Sequence, residues 1–209
     1  MSKTFDKEAI KAFIVSDQEN LQISLGVLSV ESEIREHIID NFLSRLEKRL
    51  LKEINKNDLG DDWSVSKADD YNPIYTKLFQ LTKKSWGNKY SIVIQSEQSN
   101  ANRLCYGIPR GTDGAISSEG GDIDRFLTKA ISAGKYRLET VRPNISWHYC
   151  PWVEPELANW GSPETLSLLA FKTEDETNDR NKALEYFCEK FISLAKVTNV
   201  ELDKILQSN

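Results

Sequence analysis

Cysteine, histidine and long apolar runs are all scarce in this chain, and each scarcity removes a class of function. The three cysteines, Cys105, Cys150 and Cys188, are widely spaced and odd in number, so they make neither a disulfide framework nor the paired CxxC knuckles of a structural zinc site. A reducing, cytoplasmic setting is expected. The two histidines, His37 and His148, are too few for a His-rich metal centre. His37 falls among Glu33, Glu36 and Asp40 on a helix surface. His148 lies in the aromatic run WHYCPW, where a tetrahedral zinc would need two ligands beyond His148 and Cys150. Packing of that strand into the core is the expectation, with no metal and no cofactor. No stretch reaches the about 18 consecutive apolar residues of a membrane span, and the opening MSKTFDKEAIKAF has no apolar run of signal-peptide length. Neither a membrane partner nor export is expected.

Phosphate chemistry is also poorly provided for. The loop GIPRGTDGAISSEGG, Gly107 to Gly121, is glycine-rich but lacks the Lys-Ser/Thr ending of a phosphate loop, and its Asp113 and Glu119 would repel phosphate. Asp113, Asp122 and Asp124 are the residue type that holds a hard cation, yet helix capping by Asp122 accounts for the same carboxylates. A net charge of −5 and an isoelectric point near 5.2 oppose a uniformly basic nucleic-acid binder. From Arg103 to Arg142, however, seven basic residues face five acids. Arg103, Arg110, Arg137 and Arg142 are the candidate phosphate contacts there, with Tyr106, Tyr136 and Trp147 available for stacking. An excess of two charges predicts only weak binding.

What is present is enough for a core: 39% apolar residues in a chain of 209. Phe5, Ile10, Phe13 and Ile14 have helical spacing, and Leu21, Ile23, Leu25 and Val27 alternate with polar or small residues as a strand would. From Val30 an apolar residue recurs every fourth position through Ile34, Ile38, Phe42, Leu46, Leu50 and Ile54. That period predicts one long helix with its acids at the start and Arg45, Lys48, Arg49 and Lys52 toward its end, as the helix dipole favours. Tyr90–Gln95 and Leu104–Ile108 read as a hairpin, Asp122 as the cap of a helix closed by Gly134, and Tyr136–Val141 with Ile145–Val153 as a strand pair. Ser162 and Pro163 open a further helix, Ala183 to Leu194 form another, and Thr198 with Glu201 has the form of a capping box. The fold class expected is α+β: a mostly antiparallel central sheet with a long N-terminal helix and C-terminal helices. Residues 1–28 are read as an N-terminal helix and strand, and residues 29–209 as a single α+β domain led by the long helix 30–56.

From Val30 onward the order of landmarks resembles the C-terminal portion of bacterial proteins of the PD-(D/E)XK nuclease superfamily, some of them from phage-defence settings. The landmarks are the helix with the basic end, Trp63, Trp86 before KYSIVIQSE, the YGI of Tyr106 to Ile108, WHYCPW, and NWGSPETLSLL from Asn159 to Leu169. The resemblance implies a metal held by an acid on one strand and an acid-x-Lys pair on the next, where it activates water. None of the eighteen lysines here has Asp or Glu two positions before it. Glu97 is the nearest match, but Ser99 occupies the lysine position and partners such as Asp69 or Asp70 have to be supplied. No catalytic residue is carried over. The expected function is a non-catalytic protein-interaction or regulatory module of a nuclease-like, phage-defence type of system, acting on a protein partner or as a homo-oligomer. The alternatives are a nucleic-acid-binding specificity module and a degenerate metal-dependent nuclease.

Overall fold

The computed structural model describes residues 6–67, 76–87, 89–96, 103–110, 118–134, 136–141, 143, 146–170, 181–199 and 202–204. The chain divides into two units, residues 1–38 and 39–209. In the first, Asp6 caps α1 (Lys7–Ile14) by accepting the Glu8 and Ala9 N–H groups, both at 3.1 Å. Asp17 caps α2 (Gln18–Ser29), accepting from the Asn20 N–H at 2.8 Å. The strand expected over residues 21–27 is therefore helix. A lone strand would leave its backbone N–H and C=O groups without partners, whereas a capped helix satisfies them locally. Leu28 also extends Leu21 and Leu25 into an i, i+4, i+7 series that the alternation had hidden.

The long helix, α3 (Glu31–Lys56), carries Glu31 and Glu33 in its first turn and Lys56 in its last. Phe42, Leu46, Leu50 and Ile54 of the four-residue series are buried, with Ile39 and Leu43 beside them, while Ile38 is half-buried. The stripe does not extend to the start of the helix: Val30 and Ile34 are 37% and 45% exposed.

In the second unit five strands, β1 (Trp63–Lys67), β2 (Thr76–Lys83), β3 (Ile92–Ser96), β4 (Leu104–Pro109) and β5 (Trp147–Tyr149), form one antiparallel sheet in the order β1-β2-β3-β4-β5. The β3–β4 hairpin pairs Val93 with Gly107 and Ile94 with Tyr106. Both strands are central, so Ile92, Val93 and Ile94 are all buried in place of alternating in and out. Helix α4 (Ser118–Ser132) starts earlier than expected. Asp122 lies inside it, paired with Arg125, and does not cap it. Gly134, at φ 69°, follows its end.

Residues 136–141 form no strand; β5 pairs with β4 through Ile108–Tyr149 and Pro109–Trp147 instead. In α5 (Pro163–Ala170), Ser162 Oγ accepts from the Thr165 N–H at 3.1 Å, the expected cap. Asn181 caps α6 (Lys182–Thr198) by accepting from Leu184 N–H at 3.0 Å. Thr198 is not a cap. It is buried in the last turn of α6 and its hydroxyl donates to the Leu194 carbonyl at 2.8 Å, while Glu201 lies outside the described residues. Aromatic edges join α6 to its neighbours, Phe187 to Phe42 of α3 and Phe191 to Phe79 of β2. The fold is α+β, a single antiparallel sheet with helices before and after it in sequence.

Candidate functional site

Three of the four candidate phosphate contacts, Arg103, Arg110 and Arg137, are described, and they occupy three different environments. Arg110, at the end of β4, has a side chain only 8% exposed and forms an ion pair with Asp124 of α4. The other oxygen of Asp124 lies 2.7 Å from Nδ1 of His148 on β5. One half-buried carboxylate thus clamps β4 and β5 to α4, and Arg110 is committed to the fold. His148, 3% exposed and 5.7 Å from the Tyr90 ring centroid, packs in the core as its aromatic setting predicts; the Asp124 bond was not foreseen. Arg137 is exposed and 3.2 Å from Glu189. Arg103, at φ 56°, stacks its guanidinium 4.9 Å from the centroid of Trp152, whose ring is 48% exposed. Arg142 lies outside the described residues, as do Asp69, Asp70 and Glu97. Among the described residues no three His, Cys, Asp or Glu side chains gather where they could hold a metal.

Two carboxylates act as latches. Glu139 accepts from the Tyr106 hydroxyl and from Lys190 Nζ at 2.7 Å, and the Tyr149 hydroxyl donates to its backbone carbonyl at 3.1 Å. These bonds hold the segment 136–141 where a strand ladder was expected. Burial pushes the Tyr106 and Tyr149 phenols up, so both stay protonated donors. For Glu139 burial acts in the raising direction, but the Lys190 and Tyr106 bonds outweigh it and hold the carboxyl below its ordinary value. Asp203 is lowered in the same way: burial is outweighed by Lys83 and by the Ser85 hydroxyl at 2.8 Å and the Trp86 indole N–H at 2.9 Å.

A carboxylate depressed in the folded state stabilises fully above its unfolded value and loses that contribution as the pH falls through the folded one. The melting temperature should therefore drop as the pH is taken below the ordinary 4.5 of a glutamate, and drop less in Glu139→Gln. Parallel melting curves for the two proteins through the acid range would show that Glu139 is no latch.

A groove of about 650 Å³ runs between the end of α3 and α6, lined in part by Arg49, Glu53, Arg137, Cys188, Glu189 and Lys196. Two ion pairs lie along it, Arg49 with Glu53 at 3.4 Å and Arg137 with Glu189. Burial pushes the Cys188 thiol up to about 11, which keeps it protonated and a poor nucleophile at neutral pH.

The surface that stands out is in the first unit. Of the thirteen large apolar side chains exposed among the described residues, ten lie between Ile10 and Ile34, and neither α1 nor α2 buries any residue. Helical periodicity puts Leu21, Leu25 and Leu28 on one side of α2 and Ile23 and Val27 on the opposite side. Phe13 and Val15, at the end of α1, are 63% and 71% exposed. From Ala12 to Ile34 there is no lysine or arginine, while Asp17, Glu19, Glu31 and Glu33 are acidic. Sequence reasoning missed this surface because it took the residue alternation as one buried face of a strand. The signal was the leucine series at 21, 25 and 28. No helix among the described residues is long and apolar enough to cross a membrane. Comparison with protein-family models, with curated proteins and with solved structures finds no match to the chain.

Proposed function

We propose that this chain is a non-catalytic protein-interaction module whose contact surface is the helical segment Ile10–Ile34. The observation that carries the reading is the concentration of exposed apolar side chains there, far beyond the isolated ones of an ordinary surface. The lack of an acid-x-Lys pair and the ion pairs along the α3–α6 groove agree with a module without hydrolytic chemistry. The likeness to PD-(D/E)XK proteins suggests the setting: a cytoplasmic, nuclease-like effector that this chain holds or restrains. Copurification from the native host with wild type and with Leu25→Glu/Leu28→Glu tests it. At least one protein, this chain included, should be retained by wild type and lost from the variant, and identical retention would end the proposal.

A second reading, weak nucleic-acid binding, has one observation in its favour, the exposed Arg103 guanidinium stacked on Trp152. It predicts salt-dependent binding of single-stranded DNA that falls in Arg103→Ala. Arg110→Ala is no test of it, since that residue supports the Asp124 clamp.

A further inference from the structure

Four features of the first unit bear on what covers its apolar surface. The first is area. Ten large apolar residues, each between 37% and 71% exposed, lie within one short segment, a patch larger than the about 300–600 Å² an ordinary monomer leaves open and suited to the about 800 Å² each partner contributes to a standard interface. The second is that α2 is apolar on two opposite sides. A single neighbouring helix such as α1 can cover one side only, so the other requires a surface from elsewhere. The third is length: α1 has 8 residues and α2 has 12, and isolated helices shorter than about 12–15 residues are marginal in water. The fourth is charge. With acids and no base from Ala12 to Ile34, the segment repels nucleic acid and anionic lipid surfaces.

We infer that the occupant is a second copy of this chain, with the α1–α2 segments of two protomers packing into one helical bundle. The inference rests on the interaction-module reading and names its partner. A second copy brings the same two-sided helix in equal amount, and a two-fold contact of α2 on α2 satisfies both chains at once. It leaves the opposite side of each α2 to α1 or to the partner's α1. The acids of the two copies oppose each other across this contact, so raising the salt, which screens them, should strengthen association.

Sedimentation equilibrium of the purified full chain across the micromolar range is the test, together with hydrogen exchange of the amides of Gln18–Ser29. A closed multiple of the 23.9 kDa chain with slowly exchanging α2 amides is expected. Leu25→Glu/Leu28→Glu should weaken association at least about 100-fold while leaving the melting of the second unit unchanged. Should those glutamates also melt α2, Ile23→Ser/Val27→Ser on the other side should still lower the mass. A monomer whose α2 amides exchange at once would overturn the second-copy inference and leave the surface open to a different protein. A monomer with protected α2 amides would mean the chain covers its own surface, and both readings would fail. A broad distribution without a closed size would overturn the inference as well.

Discussion

Gly107→Ala is expected to lower the melting temperature by roughly 10 °C, from a cost at or above the upper end of the about 1–3 kcal/mol of ordinary overpacking. Gly107 sits on β4 at φ 155°, where β5 crosses close against it. A Cβ built there would lie 1.9 Å from the Tyr149 carbonyl oxygen, 2.8 Å from the Tyr149 carbonyl carbon and 3.1 Å from the Cα of Cys150. All three atoms are backbone, so no side-chain rotation relieves the clash and β5 has to move. Displacing β5 disturbs Tyr149, which bonds Glu139, and His148, which bonds Asp124. The strain at one position thus reaches both the latch of residues 136–141 and the β4–α4 clamp. Thermal melting of the single variant decides it. A shift of less than about 2 °C, corresponding to less than about 1 kcal/mol in a chain of this size, would mean that the strands separate easily and carry little of the stability.

The need for glycine at 107 was not legible in the sequence, although the YGI motif marked the place. Its cause is the approach of residues 149 and 150, far along the chain, and no local pattern records such an approach. Arg110 is a parallel case. Its place in a segment richer in bases than acids suggested a phosphate contact, whereas its guanidinium pairs with Asp124 of α4, the carboxylate that also bonds His148 of β5. Features encoded locally could be read directly. The four-residue period of α3 gave its buried stripe from Phe42 to Ile54, Ser162 and Pro163 gave the start of α5, and the two apolar runs around Ile92 and Tyr106 gave the central hairpin. The N-terminal segment failed for a different reason. Alternation at Leu21, Ile23, Leu25 and Val27 is compatible with a strand buried on one face and with a helix apolar on two sides. The cap Asp17 and the leucine series at 21, 25 and 28 separate the two in favour of the helix. That ambiguity is itself informative, because a helix apolar on two sides lacks cover within a two-helix segment.

Phe42→Ala should cost about 3–5 kcal/mol, a large fraction of the about 5–15 kcal/mol by which a domain of ordinary stability is folded. The ring is fully buried and stands edge-on to Trp160 at 5.5 Å and to Phe187 at 5.9 Å, so it joins α3 to the Trp160 turn and to α6. Removing it loses the transfer free energy of the ring and the edge contacts. It also leaves a cavity between large aromatic residues that cannot all move inward together. Urea titration should show a lower midpoint with an unchanged slope, and Phe42→Leu should fall between alanine and wild type. Leu51→Ala, on the same helix at 38% exposure, is the control and should stay within about 0.5 kcal/mol. A cost below about 1 kcal/mol for Phe42→Ala would mean that α3 is not anchored through this ring. The two kinds of lesion should also separate. Phe42→Ala, kept below its lowered melting point, should retain the self-association proposed above, whereas Leu25→Glu/Leu28→Glu should abolish it with the melting of the second unit unchanged. If both variants lose mass and stability together, folding of the second unit and association through the first are one transition.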